Sequence, residues 1–214
     1  MKTAFIEAKA SIRKADFSVK FLPKKIGIVT TIQYTGEVKK ISDFLWSKGI
    51  KSVVAGQVLG CNAECAEKIK DDVDAFLYVG DGEFHPIGVA IKTGKQVFAL
   101  NPASMDLRKI DDGEVEKIRK KKKGMLLKFH YAKTVGVLTT TKRGQSAVQG
   151  GLKKARDIEA KYPDKKFYYF ICDTLDFNSL QNFPFIDCWL NTMCPRIMED
   201  INVLNIQDIS DSTK

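Results

Sequence analysis

Two stretches of the chain repeat the same succession of strand, helix and strand, and this duplication constrains the fold more than any other feature. The stretches are residues 24–56 and 133–172. Each begins with an apolar strand. This strand contains a glycine, Gly27 or Gly136, and ends in Thr-Thr. A polar turn, an amphipathic helix and a second apolar strand follow in both. The pattern indicates a duplicated α/β unit.

The spacing of apolar residues supports this interpretation. Val38, Ile41 and Leu45 lie on one face of a helix with a 3.6-residue period. The strands are short and apolar without strict alternation, which is typical of parallel strands covered on both faces. We therefore predict an α/β protein with two similar domains, each a small parallel sheet flanked by helices. The expected divisions are an N-terminal segment 1–22, a first domain 23–124 and a second domain 125–214.

The composition is that of a soluble globular protein, with 44% hydrophobic and 29% charged residues. No apolar run approaches the roughly 20 residues needed to span a bilayer. The N-terminus mixes charged residues among its apolar ones and lacks the continuous apolar core of a signal peptide. We expect a cytoplasmic protein without a membrane partner.

A formal net charge of +9 favours an acidic partner. Part of the positive charge lies in one run, residues 117–128. This run is either the solvated end of a helix that stops before Gly124 or a basic docking surface. Aromatic residues are not interleaved with the lysines, which argues against stacking on single-stranded nucleic acid.

The chain has five cysteines with irregular spacing: Cys61, Cys65, Cys172, Cys188 and Cys194. In a reducing compartment such thiols are metal ligands, nucleophiles or small buried residues rather than disulfides. The absence of a C-x-x-C pair disfavours zinc, and only two histidines are available as bases for a nucleophile. Several cysteines follow strands, where the ligand-bearing loops of parallel sheets lie. An iron–sulfur cluster held by distant loops is the best chemical fit, and buried inert thiols are the alternative.

The segment of residues 79–88, which follows the predicted strand at 74–78, contains Gly80 and Gly82. Their backbone N–H groups can face an anion, although a plain tight turn fits the same residues. His85 occupies the place of the third glycine of a dinucleotide fingerprint, which argues against a Rossmann site. His85 is either a proton shuttle, a polar pocket wall or a hydrogen-bonded loop histidine.

A second loop, residues 139–145, joins the first strand of the second unit to its helix. Lys142 and Arg143 lie next to a glycine at the expected helix N-terminus. This arrangement suits a carboxylate or phosphate clamp, and it also occurs in ordinary turns.

Four segments occur in order along the chain: residues 56–61 (GQVLGC), 73–102, 135–145 and 182–197, the last of which contains NTMCPR. Together they resemble the archaeal radical enzymes that begin diphthamide synthesis. The resemblance implies a [4Fe–4S] cluster held by three cysteines, one from each of three similar α/β domains. It also implies that S-adenosylmethionine binds the fourth iron and is cleaved to a 3-amino-3-carboxypropyl radical. This radical adds to a histidine of translation elongation factor 2.

By this resemblance, Cys61 and Cys194 correspond to cluster ligands, and the cluster is expected at the interface of the two domains. The chain has room for two of the three domains and lacks a counterpart of the first, so the third ligand is open. We rank Cys65 first and Cys172 second for that role, and expect Cys188 to be buried and inert.

The resemblance also points to a pocket for S-adenosylmethionine. The residues expected to line it are Gly80, Gly82, His85, Lys142, Arg143 and Gln145. Of these, Lys142 or Arg143 is expected to pair with the methionyl carboxylate.

The predicted function is therefore that of a transferase of the 3-amino-3-carboxypropyl group, with elongation factor 2 as acceptor. The alternative is a non-catalytic, cluster-binding partner or electron-relay subunit of such an enzyme. In either case a partner chain, or a second copy in a homodimer, is expected to supply the missing domain.

Overall fold

The computed structural model describes residues 4, 6, 8–60, 62–141 and 148–211. The chain divides into two compact units, Met1–Lys117 and Ile118–Lys214. The 124/125 boundary expected from the sequence lies in the helix Asp112–Tyr131, which also contains the division between the two units.

The first unit contains a five-stranded sheet in the order β2-β1-β3-β4-β5. Its strands are β1 (Lys25–Thr30), β2 (Lys51–Gln57), β3 (Ala75–Val79), β4 (Gln96–Leu100) and β5 (Leu107–Lys109). Its helices are α1 (Val38–Ser47), α2 (Glu64–Glu67), α3 (Phe84–Thr93) and the start of α4 (Asp112–Tyr131), and a 3-10 helix (Ile32–Glu37) precedes α1. The first four strands are parallel, and β5 runs antiparallel to β4.

The second unit contains a four-stranded parallel sheet in the order β7-β6-β8-β9. Its strands are β6 (Thr134–Thr140), β7 (Lys166–Cys172), β8 (Cys188–Asn191) and β9 (Leu204–Asn205). Its helices are the remainder of α4, α5 (Val148–Lys161), α6 (Ile197–Asp200) and α7 (Ile206–Asp211), with a 3-10 helix at Phe177–Asn182. Both units place their first strand between the second and the third, which confirms the predicted α/β fold with parallel sheets flanked by helices.

Apolar residues cover both faces of the first sheet. On one face, Ile28 of β1 belongs to the same buried cluster as Ile41 and Leu45 of α1, as the helical spacing predicts. On the other face, Phe76 of β3 belongs to a buried cluster with Val89 of α3. This two-sided burial explains why the strands are apolar without alternation.

The glycine repeated in the first strand of each unit has a packing role. A Cβ on Gly27 would lie 2.6 Å from the ring of Phe76, and a Cβ on Gly136 would overlap the ring of Trp189. In both units the aromatic residue is the direct partner of the glycine on the neighbouring strand. The same contact, between an aromatic ring and the backbone of a glycine, therefore occurs in both units.

A carboxylate precedes the third strand in both units. Asp74 accepts a hydrogen bond from the Lys25 N–H at 3.1 Å. Asp187 accepts from the N–H groups of Lys133 and Thr134, both at 2.9 Å, and from the Thr134 hydroxyl at 2.9 Å. These bonds tie the start of the third strand to the start of the first.

Helix α4 passes through Gly124 and ends only at Tyr131, so the expected end before Gly124 is wrong. Met125 and Phe129 are buried on its inner face, and their burial outweighs the weak helix preference of one glycine. Near its end, the buried Lys165 amino group donates to the carbonyls of His130 at 2.8 Å and Ala132 at 2.7 Å. These bonds satisfy carbonyl groups that a helix C-terminus leaves without partners.

Replacement of Gly136 by alanine should destabilise the protein by about 1–3 kcal/mol, because the added methyl group meets the Trp189 ring. The measurement is the midpoint of chemical denaturation. Gly150→Ala is the matched control, since a Cβ at this helical position meets nothing within 4 Å and alanine favours helix. A Gly136→Ala protein as stable as Gly150→Ala would contradict the packing role.

The hydrogen bonds to Asp187, led by the Thr134 N–H, lower the pKa of its carboxyl group. A carboxylate with a lowered pKa stabilises the folded state above its unfolded pKa, and this contribution disappears as the pH falls through the folded pKa. The contribution should be no more than about 1 kcal/mol, because the group is exposed. The free energy of unfolding of wild type should therefore decrease more between pH 6 and pH 2 (roughly the range around the ordinary aspartate pKa) than that of Asp187→Asn. Equal losses would exclude this contribution.

Candidate functional site

The loop that follows β8 carries the NTMCPR motif at the carboxyl end of the second sheet. Thr192, the first residue beyond the strand, donates from its N–H at 3.0 Å and its hydroxyl at 2.8 Å to the Leu138 carbonyl of β6. Thr192 is 4% exposed, so the loop departs from a fixed point beside the central strand. The carboxyl end of a parallel sheet is where such folds bind ligands.

Two buried amides hold the rest of this loop. The Asn191 side chain donates to the Cys194 carbonyl at 3.0 Å and to the Asn205 Oδ1 at 2.7 Å, and it accepts from the Met193 N–H at 2.9 Å. Asn205 in turn donates to the Pro195 carbonyl at 3.0 Å. Consecutive backbone groups around Cys194 are therefore tied to the strand ends of β8 and β9.

Cys194 is partly exposed on this braced loop. Its carbonyl accepts a second hydrogen bond, from the Ile197 N–H at 3.2 Å, just as α6 begins. Cysteine thiolates are the usual protein ligands of iron–sulfur clusters. The ligand role expected for Cys194 stays a prediction, and the structure places its partly exposed side chain on a hydrogen-bonded loop at a strand end.

Cys61 lies outside the described residues, so its predicted role as a ligand stays a prediction. The residues beside it form a tight reversal, in which Leu59 and Asn62 exchange backbone hydrogen bonds of 3.2 and 2.9 Å. Gly60 has φ +56°, a conformation that favours glycine. The GQVLGC motif therefore carries a glycine-dependent turn beyond the edge strand β2.

Cys65 lies in α2, which begins only at Glu64. Its thiol donates to the Gln57 carbonyl at 3.2 Å, and burial raises its pKa. A Cβ on Gly56, whose φ is +121°, would lie 3.9 Å from the Cys65 Cβ. In this arrangement the Cys65 thiol points back to the end of β2, and binding iron would require this hydrogen bond to break.

Cys172 ends β7, and its thiol lies 3.5 Å from the Thr139 carbonyl. Burial, with a smaller contribution from Asp173, raises the pKa of Cys172. Cys188 is 0% exposed, and burial raises its pKa to about 11. Cys188 is thus a buried thiol, whereas Cys172 is partly exposed.

In the β3–α3 loop, the N–H groups of both glycines have partners within the protein. The Gly80 N–H donates to the Leu100 carbonyl at 3.1 Å, and the Gly82 N–H donates to the Asp81 carboxylate at 2.8 Å. These bonds fit the plain tight turn, the alternative to a turn whose N–H groups face an anion. Gly80 is also required by packing, since a Cβ there would overlap the Tyr78 side chain.

His85 lies in the first turn of α3 against Tyr78. The His85 Nδ1 is 3.4 Å from the Tyr78 hydroxyl, and the two rings stack with centroids 5.8 Å apart. The hydroxyl also donates to the Asp81 carbonyl at 3.0 Å, and burial is the main cause that raises the Tyr78 pKa to about 12. His85 is therefore hydrogen-bonded, as one of the expected alternatives has it, but it lies at the start of α3 and not in the loop. Its role as a pocket wall stays a prediction.

The remaining pocket candidates, Lys142, Arg143 and Gln145, lie outside the described residues. The last described residue before them is Thr141, whose N–H donates to the Cys172 carbonyl at 3.2 Å. Among the residues that are described, no group of three or more His, Cys, Asp or Glu side chains is arranged to hold a metal ion.

The basic run lies on α4 and is mostly exposed. Lys117, Lys120 and Lys123 are exposed, whereas Lys122 pairs with Asp208 at 2.8 Å on the inner side of the helix. Over the described part of the chain, no helix has the length and apolar character needed to cross a membrane.

Sequence reasoning missed Asn191, Asn205 and Tyr78. Asn191 is the first residue of the NTMCPR motif, and a buried amide at a strand end was a detectable signal. Asn205 could not be found from the sequence, because its role depends on the pairing of β8 with β9.

The fold and this loop define an α/β protein with a duplicated parallel sheet and a cysteine presented at a strand end. A family model described as diphthamide synthesis protein matches residues 1–202. The chain therefore belongs to the diphthamide synthesis protein family, which confirms the resemblance found in its motifs.

The most informative relatives are named 2-(3-amino-3-carboxypropyl)histidine synthase. The one from Pyrococcus horikoshii is 29% identical over 191 residues, covering 85% of this chain and 53% of that protein. The one from Methanocaldococcus jannaschii is 33% identical over 183 residues, covering 85% of this chain and 48% of that protein. A relative from Caenorhabditis elegans, 28% identical over 84% of this chain and 47% of its own length, is named subunit 1 of this synthase. The chain spans about half the length of these curated relatives.

A solved structure has the same fold. Dph2 from Pyrococcus horikoshii matches with a TM-score of 0.72 and 28% identity, over 90% of this chain and 58% of that one. The same protein has also been solved with a 4Fe-4S cluster.

The burial and the raised pKa of Cys188 make its reactivity testable. With a pKa of about 11, only ~0.1% of the thiol is ionised at pH 8, so iodoacetamide should label native Cys188 at least about 100-fold more slowly than a free model thiol. Mass spectrometry of the cysteine-bearing peptides gives the rates. Labelling in denaturant is the control, where Cys188 should react at the rate of the model thiol. Fast labelling in the native protein would show that this thiol is accessible.

Proposed function

We propose that the protein is a [4Fe–4S]-dependent transferase that moves the 3-amino-3-carboxypropyl group of S-adenosylmethionine to a histidine of translation elongation factor 2. The observation that carries this proposal is the family match over residues 1–202. It is supported by the likeness to a Dph2 that was solved with a 4Fe-4S cluster. When bound, the cluster supplies the electron that breaks the bond from sulfur to the aminocarboxypropyl carbon, so that methylthioadenosine leaves.

The proposed ligands are Cys61, Cys194 and a third thiol. Cys194 is supported by its partial exposure and by the hydrogen bonds that hold its loop. Three protein ligands suffice, because a fourth would close the iron position at which the substrate must bind. For the third thiol, Cys65 remains the first candidate and Cys172 the second, and each must give up its hydrogen bond to a backbone carbonyl.

The residues of this chain would also bind and orient S-adenosylmethionine. We assign Lys142 or Arg143, with Gln145, to its carboxylate, because a cation near a helix N-terminus suits that group. His85, with the loop through Gly80 and Gly82, would form another wall. The Tyr78 hydroxyl lies at 3.4 Å from the His85 Nδ1 and restricts the orientation of the ring.

A second candidate function is a cluster-binding partner subunit without catalysis of its own. It is supported by the relative from Caenorhabditis elegans, which is named subunit 1 of the synthase. A partner chain or a second copy would then complete the enzyme. The native mass of the iron-loaded protein distinguishes a monomer from such assemblies.

The test is anaerobic reconstitution with iron and sulfide, followed by reduction in the presence of S-adenosylmethionine. We expect wild type to bind iron and to release methylthioadenosine, measured by chromatography. Cys61→Ala and Cys194→Ala should each lower iron binding and product release by at least about 10-fold, because a ligand is lost. Cys65→Ala and Cys172→Ala identify the third ligand.

Cys188→Ala is the matched control, since Cys188 is buried and is not a proposed ligand. It should retain both iron and product release. Iron binding without any methylthioadenosine, alone or with the acceptor, would refute the transferase and support the partner subunit. Full iron binding by Cys194→Ala would refute the ligand assignment.

A further inference from the structure

The side chains of Asn191 and Asn205 form a buried pair next to the loop that carries Cys194. Asn191 is 1% exposed and Asn205 is 3% exposed, and their side chains share a hydrogen bond of 2.7 Å. Burying two amides is costly unless their polar atoms find partners. Here the partners are the backbone groups on both sides of one cysteine, so the burial serves the conformation of that loop.

The bonds form a closed pattern around the Cys194 peptide. Asn191 accepts from the N–H of Met193 and donates to the carbonyl of Cys194. Asn205 donates to the carbonyl of Pro195. Buried side chains therefore form hydrogen bonds with three consecutive residues, Met193, Cys194 and Pro195. The backbone at Cys194 has little freedom to rotate while these bonds persist.

Helix α5 closes the loop from another side. A Cβ on Gly151 would lie 3.0 Å from the Thr192 Cβ and 3.3 Å from the Thr192 carbonyl oxygen. Only a glycine lets the helix backbone approach the start of the loop this closely without displacing it.

The same device occurs at the equivalent place in the first unit. Tyr78, at the end of the third strand, donates to the carbonyl of Asp81, three residues further on. Asn191 likewise donates to the carbonyl three residues further on. The side chain types differ, but the bond from the third strand to the following loop recurs. Its recurrence in both copies indicates that holding this loop is a property of the unit and not an accident of packing.

We propose that Asn191 and Asn205 are positioning residues that fix the peptide of Cys194, so that its thiol is presented to the metal in one orientation before iron binds. The inference rests on the proposed function, in which Cys194 is a cluster ligand. A preset ligand loses less conformational freedom on binding, so the pair should raise the affinity of the protein for the cluster.

The test compares Asn191→Leu and Asn205→Ala with wild type. Leucine keeps a branched side chain of similar size but cannot form the three hydrogen bonds, so the loop should open more often. We expect backbone amides in residues 192–197 to exchange hydrogen at least about 10-fold faster, because the three hydrogen bonds of the Asn191 side chain are lost. Iron bound after anaerobic reconstitution should fall, by up to about 10–100-fold in affinity. Asn205→Ala provides the same readouts if Asn191→Leu does not fold.

Asp187→Ala is the control, because the Asp187 carboxylate accepts hydrogen bonds from Lys133 and Thr134 at the opposite end of β8 from the Cys194 loop. It should lower stability while leaving loop exchange and iron affinity as in wild type. Iron affinity and exchange in the asparagine variants equal to those of Asp187→Ala would overturn the proposal, as would faster exchange with undiminished iron affinity.

The two proposals fail in different ways. If wild type binds no iron, the proposed function is refuted. If wild type binds iron and both asparagine variants bind it equally well, only the positioning role is refuted.

Discussion

Parallel pairing of the first strand with two neighbours is the interaction on which the rest of each unit depends. In the first unit β1 pairs with β2 and β3, and in the second β6 pairs with β7 and β8. This pairing brings the carboxyl ends of three strands to one edge, where the loops of interest begin. The bare backbone of Gly27 and Gly136 permits it, because a ring from the third strand occupies the space of a side chain.

The described cysteines differ in burial and in the hydrogen bonds around them. Cys188 lies inside the second sheet, where burial holds it in the neutral form. The Cys65 thiol in α2 and the Cys172 thiol at the end of β7 each donate to a strand carbonyl of their own unit. Cys194 is partly exposed on a loop whose backbone is held by other side chains. Among the cysteines that the structure describes, Cys188 is therefore the buried one, and the other three are partly exposed.

Residue patterns predicted the regular elements well and the polar contacts poorly. The buried face of α1, at Ile41 and Leu45, follows from the period of the helix alone. The passage of α4 through Gly124 was not predictable, because the burial of Met125 and Phe129 decides it. The glycine loop after β3 was open to two interpretations, a turn with anion-facing N–H groups or a plain tight turn. In the structure Leu100 and Asp81 accept from these N–H groups, and the Leu100 contact exists only once the sheet has formed.

The sequence by itself determined the duplicated α/β units and the family, because periodicity and ordered motifs are properties of neighbouring residues. It also determined that two motif cysteines follow strands. The tertiary structure alone decided that Asn191 meets Asn205 and that Tyr78 reaches His85. Such contacts depend on which strands pair and on where the side chains point. Local sequence patterns specify neither, because both are set only when the sheet is assembled.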